Sequence, residues 1–303
     1  MKGSGFALAQ FILALLLAPL LPGIVNRTKA VFAGRRGQPL LQGYNDLAKL
    51  LSKAGIYSRT TTWIFRAGPA LGCASAAVAL SLLPWAGAPA LLSFEGDVVL
   101  FAALFGLARF VTILAALDTG SAFEGMGASR EAWFSALTEP ALLLSLAALA
   151  RLSGSFSLSL MLTGSGVGGG AGAALLLAAG AALVVFLAEN ARIPVDDPNT
   201  HLELTMIHEV MVLDHSGVDL AYIQYGSALK LWAFGALAVS ILVPRVGLPA
   251  ADMAIGLGAL GCVAALTGVV ESVMARLRLA RVPQLLVAAI AMSALALALA
   301  LVK

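Results

Sequence analysis

AENARIPVDDPNTHLELTMIHEVMVLDHSG, residues 188–217, breaks an otherwise apolar chain with Glu189, Arg192, Asp196, Asp197, Glu203, Glu209 and Asp214 and with all three of its histidines, His201, His208 and His215. Long hydrophobic segments flank it, and the 303 residues as a whole are 60% hydrophobic and 12% charged. A soluble domain cannot hide that much apolar surface from water, so the chain reads as an all-α integral membrane protein and this stretch as one of its polar loops. Pro194 and Pro198 break the preceding helix, and Asp197 before Pro198 reads as an N-cap followed by a first helical position. The spacing predicts an amphipathic helix over Asn199–Leu213. His201, Thr205, His208 and Glu209 form its polar stripe, and Leu202, Met206, Ile207, Val210 and Leu213 fill much of the rest.

Outward from this loop, a span needs about 20 apolar residues to cross a hydrocarbon core of about 30 Å. Eight segments qualify: 6–25, 66–86, 98–117, 133–152, 171–189, 220–243, 251–272 and 284–302. Placing the loop 26–65 in the cytoplasm puts 118–132, 190–219 and 273–283 there as well. Thirteen Lys and Arg residues then lie inside, four outside (Lys2, Arg151, Arg245 and Lys303) and two within spans (Arg109 and Lys230). The positive-inside rule favours that orientation, with both termini outside. The first segment is read as a retained helix, because Lys2 is a thin basic region and no Ala-x-Ala-like cleavage site follows.

Ionisable groups inside spans are costly in hydrocarbon and usually mark a hydrated or protein-lined interior. Glu139 stands beside Pro140, whose missing N–H frees a carbonyl one turn earlier. Glu139 is either a proton relay or the ion-pair partner of Arg109 or Lys230. Arg109 lies about 12 Å from the cytoplasmic end of its span, deeper than snorkelling explains, and needs an anion. Lys230 is open to a relay or a structural role. Glu189 is expected to relay protons or to anchor the loop, with Arg192 and Asp196 as candidate local partners, and Glu271 is expected to pair with Arg276 or Arg278 at the interface.

Metal chemistry finds little support. Cys73 and Cys262 sit in separate apolar segments without a Cys-x-x-Cys pattern, which excludes a cluster or zinc site built on them. His201 and His208 are about 10 Å apart along a helix. His208-Glu209 is not followed by a histidine at zincin spacing. The histidines are therefore solvated or interfacial groups, or members of a proton relay. The Gly-rich run GSGVGGGAGA at 164–173 lacks the Gly-Lys-Ser/Thr ending of a phosphate loop and reads as a flexible connection.

Glu189, Asn190, Arg192, Pro194, Asp196 and the Glu203-Leu204 pair resemble the signature loop of the membrane subunit that complex I shares with energy-converting [NiFe] hydrogenases, the NADH dehydrogenase subunit 1 family. VDDPNTHLELTMIHE, residues 195–209, is more similar to the formate hydrogenlyase and hydrogenase-4 branch. Complex I relatives continue Pro-Phe-Asp-Leu with further glutamates, whereas Val195, Asn199, Thr200 and His201 stand here. Two further loops resemble the family's: RTKAVFAGRRGQPLLQGYNDLAKLLSKAG at 27–55 and DTGSAFEGMGASRE at 118–131. Glu139 falls where family members carry a membrane glutamate, and Lys230 where complex I relatives tend to carry one.

The resemblance implies a subunit that docks a hydrogenase module on its cytoplasmic face and links it to H⁺ or Na⁺ translocation in a prokaryotic inner membrane. The [NiFe] centre and iron–sulfur clusters would belong to a hydrogenase large subunit and an iron–sulfur small subunit, with antiporter-like subunits alongside in the bilayer. No cofactor is expected on this chain, and no nucleic acid. Glu139, Glu189, Glu203, Glu209, Arg109 and Lys230 are the coupling candidates. Arg27, Arg35, Arg36, Asp46, Lys49, Asp118, Glu124, Arg130, Arg192, Asp196, Asp197, His201 and His208 are the docking candidates. A quinone-site subunit of a complex I-type dehydrogenase, a purely structural anchor and a stand-alone transporter are the competing classes.

Overall fold

The computed structural model describes residues 2–163, 172–196 and 206–302. Among them the chain is all helical, and seven helices are long and apolar enough to cross a membrane, or eight spans if a bent N-terminal pair counts as one. That pair is α1 (Lys2–Leu17) and α2 (Leu20–Phe32), which meet at an angle of about 47°. Pro19 stands at the junction, where its missing N–H and its ring end the first helix. The sequence predicts a single span over 6–25. The second half instead runs on to Phe32 and carries Arg27 and Lys29 as helical residues.

Helix α3 (Gln42–Leu51) is short, with no fully buried residue, and is held against the bend. The Tyr44 hydroxyl donates to the Leu16 carbonyl at 2.6 Å. Any side chain on Gly23 would collide with the Leu40 carbonyl, so glycine is what lets the segment before α3 lie on α2. Helix α4 (Trp63–Ser81) starts at an N-cap, Thr62, whose hydroxyl accepts from the Ile64 N–H. Asp118, at the end of α5 (Asp97–Asp118), reinforces that cap by accepting from the Thr62 and Phe65 N–H groups. Gly68 allows α4 to approach α5, since a Cβ there would lie 3.0 Å from the Ala115 Cβ.

Helix α6 (Ala122–Ser153) is 32 residues long, about 48 Å at 1.5 Å per residue. It absorbs most of the expected loop 118–132, so Glu124, Arg130 and Glu131 are helical. The short α7 (Leu158–Thr163) and α8 (Gly172–Glu189) follow. Of the amphipathic helix expected over Asn199–Leu213, residues 199–205 lie outside the described residues. The described remainder is a single 3-10 turn, Glu209–Val212, whose Val210, Met211 and Val212 are buried. Helix α9 (Gly217–Leu242) is the most enclosed of the spans, with 61% of its apolar stretch buried. Its Trp232 and Phe234 pack on Trp85, Phe101 and Phe105, with Trp85–Trp232 and Phe105–Phe234 ring centroids 5.3 and 4.7 Å apart. Helices α10 (Pro249–Val273) and α11 (Val282–Leu301) complete the bundle. Buried Ser145 and Ser293 hydrogen-bond across α6 and α11 at 2.9 Å, as polar residues do between membrane helices.

Candidate functional site: an intramembrane charge cluster

Arg109 lies on a buried face of α5 and is 7% exposed. A guanidinium carries five donors in a planar fork and stays charged, so in an apolar surround it must be met by several acceptors. Three carboxylates meet it. Its Nε lies 3.3 Å from Glu131 Oε1, its Nη1 pairs with Glu139 Oε1, and its Nη2 pairs with Glu189 Oε1. Glu189 closes α8, and its second oxygen lies 2.9 Å from Lys230 Nζ on α9. Two cations thus hold three carboxylates contributed by α6 and α8.

The burial within the cluster is graded. The Glu189 side chain is 2% exposed, Glu131 20% and Glu139 50%. The chain of ion pairs therefore begins at the end of α8 and ends at a half-exposed carboxylate on α6. A carboxylate facing hydrocarbon would be expensive to keep there. Glu139 is an ion-pair partner of Arg109 and its side chain is half exposed. Lys230 pairs with Glu189, whose partners are therefore Arg109 and Lys230 on α5 and α9 and not the expected Arg192 and Asp196, which pair with Glu271 and Arg276.

A second set of pairs fixes the loop. Glu271 sits between Lys29 Nζ at 2.8 Å and Arg192 Nη1 at 3.2 Å, not with the expected Arg276 or Arg278. Asp196 is 2% exposed, lies 2.8 Å from Arg276 Nη2, and accepts from the Ile207 and His208 N–H groups at 3.2 and 3.1 Å. Arg192 and Asp196 therefore turn their charge inward, Arg192 toward Glu271 of α10 and Asp196 toward Arg276 just beyond that helix, rather than displaying it. Glu124 does likewise: it is 1% exposed and accepts from the Asp214 N–H at 3.3 Å. Arg130 donates to the Met206 carbonyl at 2.8 Å, Asp118 caps α4, and Asp46 accepts from Gln42 at 2.8 Å. Of the docking candidates, Arg27, Arg35, Arg36 and Lys49 are exposed. Glu203, Asp197 and His201 lie outside the described residues, and Glu209 opens the 3-10 turn.

A cavity of about 80 Å³ lies beneath the loop, lined by Arg109, Glu131, Glu189 and Lys230 together with His208 and Asn190. Burial, then the nearby Lys230 charge, lowers the His208 pKa to about 4, so the imidazole there is neutral at pH 7. His215 is also held at about 4 by burial, stacked on Phe65 with ring centroids 3.9 Å apart. Among the described residues no group of three or more His, Cys, Asp or Glu could hold a metal ion.

Sequence reasoning misses Glu131 and the Lys29–Glu271 pair. Glu131 falls in a stretch that reads as a loop, but it stands eight residues before Glu139, a spacing that returns to roughly the same helix face. That signal is available only once α6 is known to extend so far. Lys29 reads from sequence simply as a loop cation.

Residues 6–302 match the family model described as NADH dehydrogenase. The chain belongs to the NADH dehydrogenase subunit 1 family. It is 32% identical over 239 residues to hydrogenase-4 component C of Escherichia coli K12, covering 79% of this chain and 75% of that protein. It is 30% identical over 240 residues to formate hydrogenlyase subunit 4 of the same strain, covering 79% and 77%. An NADH-quinone oxidoreductase subunit of Rubrobacter xylanophilus is 27% identical over 213 residues, covering 69% and 63%. A chain of the membrane-bound sulfane sulfur reductase, an archaeal respiratory membrane complex, shares the fold with a TM-score of 0.84 at 22% identity, over 99% of this chain and 100% of that one. The family match spans both charge clusters and the loop that joins them, in a multi-pass membrane protein.

Proposed function

We propose that this family member is the membrane-anchoring and energy-coupling subunit of a [NiFe] hydrogenase complex in a prokaryotic cytoplasmic membrane. It docks a hydrogenase large subunit and an iron–sulfur small subunit on its cytoplasmic face and sits beside antiporter-like membrane subunits. The relatives named hydrogenase-4 component C and formate hydrogenlyase subunit 4 support the complex. The observation that carries the coupling role is Arg109, which joins three carboxylates at graded depth.

A buried charge network of this kind has two stable ways to respond when one partner is disturbed: a carboxylate takes up a proton, or an arginine or lysine shifts to another acceptor. A rearrangement of the docked module that moves the 188–217 loop changes Glu189 first, because Glu189 ends α8 where that loop begins. Arg109 passes the change to Glu139, which faces the neighbouring membrane subunit. The redox centres lie on the partners, and this chain's residues hold and move protons.

The test is Glu139→Gln in the assembled complex, which keeps the shape and cannot carry the proton. Assembly is expected to persist while translocation per electron falls, measured as acidification in membrane vesicles. Parent-level coupling in the variant overturns the relay role, and loss of assembly assigns Glu139 a structural one. Failure of hydrogenase subunits to co-purify with the wild-type chain overturns the complex itself, and quinone-dependent turnover would favour a complex I-type dehydrogenase.

A further inference from the structure

Elements consecutive in sequence usually lie side by side, but α10 and α11 do not. Helix α10 lies on α2 and α9, whereas α11 lies on α6 and α8. The segment between them, residues 274–281, crosses the Glu189 end of α8. There the Leu277 N–H donates to the Pro194 carbonyl at 3.1 Å, and Leu277 and Leu279 pack with Val195 and Val282 in a small apolar cluster. The side of α8 turned away from α6, α9 and α11 is therefore left open between α10 and α11. Its exposed residues Ala173, Leu176 and Leu183 recur at helical spacing with Gly180 among them. A Cβ on Gly180 would meet only the Met292 Sδ, at 3.9 Å. The result is an apolar groove floored by α8 and walled by α10 and α11.

The rim of this groove is basic. Arg278 and Arg281 are exposed, while the leucines beside them turn inward. The Arg281 N–H donates to the Arg278 carbonyl at 2.7 Å, closing a 3-10 turn over Leu279–Arg281, and in such a turn residues three apart stand on the same side. Neither guanidinium has an acidic partner among the described residues, unlike Arg109, Arg192 and Arg276. Two free guanidinium forks above an apolar slot match a phosphodiester carried on an acyl chain, because arginine pairs with phosphate bidentately and basic pockets between transmembrane helices on the cytoplasmic side take anionic head groups. Gly180 stands about 14 Å from Glu189 along α8 at 1.5 Å per residue, so the slot beneath the arginines is as deep as one leaflet of a ~30 Å hydrocarbon core.

We propose that this groove binds one anionic phospholipid of the cytoplasmic leaflet, with its phosphate held by Arg278 and Arg281 and an acyl chain lying along α8 past Leu183 and Gly180. A zwitterionic lipid brings its own cation to the phosphate and gains less from the two arginines, so the site selects head groups of net negative charge. The bound lipid fills the space that α10 and α11 leave between them and joins the two helices where their side chains do not meet. The inference requires only that the chain is inserted in a membrane and stands apart from the hydrogenase and coupling readings.

The experiment uses the assembled complex in lipid nanodiscs that contain a trace of phosphatidylglycerol or phosphatidylcholine with a photoreactive group on one acyl chain. Mass spectrometry of cross-linked peptides is expected to find the phosphatidylglycerol probe on residues 173–187 of this chain on the order of tenfold more often than the phosphatidylcholine probe. Arg278→Gln with Arg281→Gln should remove that preference. Lys53→Gln with Arg59→Gln, which takes two exposed cations from the α3–α4 connection, should leave it intact. Gly180→Leu occupies the floor of the groove, where a side chain has room, and should lower labelling of α8 severalfold with both arginines in place. Equal labelling by the two lipids, a preference that survives loss of the arginines, or an equal loss in the Lys53 and Arg59 variant overturns the site. Labelling confined to a partner subunit also overturns it, by showing that a protein helix fills the groove. So does full displacement of the probe by soluble glycerol 3-phosphate, which would assign the arginines to a free phosphate.

Discussion

Arg109 meets Glu131, Glu139 and Glu189 with one side chain, so its loss is not a local event. Removing one partner of a buried ion pair typically costs about 3–5 kcal/mol, because the other charge stays buried and uncompensated. Arg109→Gln is therefore expected to abolish stable assembly, measured as complex recovered from membranes. Arg109→Lys keeps the charge but not the fork, and should recover part of the assembly with impaired coupling; full activity in either variant contradicts the bridging role. His215 gives a second prediction. Its folded pKa of about 4 lies below the 6.5 of a free imidazole, so between those values the unfolded chain binds a proton that the folded chain does not. Stability consequently falls as pH drops from 6.5 toward 4, by at most about 1.4 kcal/mol per pH unit for one group. A His215→Phe variant, which can still stack on Phe65, should show a thermal midpoint that depends less on pH between 6.5 and 5 than the parent's. Equal pH dependence in the two proteins would remove His215 from the account.

At the scale of elements, α6 and the 3-10 turn decide where the loop sits. A Cβ on Gly127 would run into Val210 and lie 2.9 Å from the Ile207 carbonyl, whereas one on Gly125 would meet nothing within 4 Å. Gly127→Ala is expected to push the turn off α6 and lower the thermal midpoint, with overpacking on the order of 1–3 kcal/mol. Gly125→Ala should stabilise slightly, because alanine is favoured over glycine within a helix by about 1 kcal/mol. Similar midpoints for the two variants would contradict the close contact. The apolar runs behind α4, α5, α8, α9, α10 and α11 were legible from composition because a helix that crosses a membrane must be hydrophobic over most of its length. The ends of helices were less so. Residues 122–132 are polar enough to resemble a loop, yet they continue α6 because buried partners, Met206 for Arg130 and Arg109 for Glu131, satisfy them.

For the whole molecule, the charges of Arg192 and Asp196 turn inward, whereas Arg27, Arg35, Arg36 and Lys49 are exposed, as are the apolar residues Phe32, Leu40 and Leu41; in the proposed complex these exposed cations form the docking face. Replacing Arg35 and Arg36 by glutamate should release hydrogenase subunits from membranes at physiological salt while leaving this chain inserted; retention at wild-type level would place the docking face elsewhere. The chain purified alone is expected to carry no stoichiometric iron, nickel or zinc by metal analysis, since Cys73 and Cys262 lie on different helices, α4 and α10. The sequence by itself determined the class and the loop that marks the family, because overall hydrophobicity and a contiguous polar motif are properties of local sequence. It also singled out Arg109, Glu139, Glu189 and Lys230, since a charge within an apolar run is conspicuous. Which charge meets which was decided only by tertiary structure: residues 80 positions apart, such as Arg109 and Glu189, become partners when helices pack side by side, and in a low-dielectric interior each ion settles against whichever opposite charge that packing brings within reach.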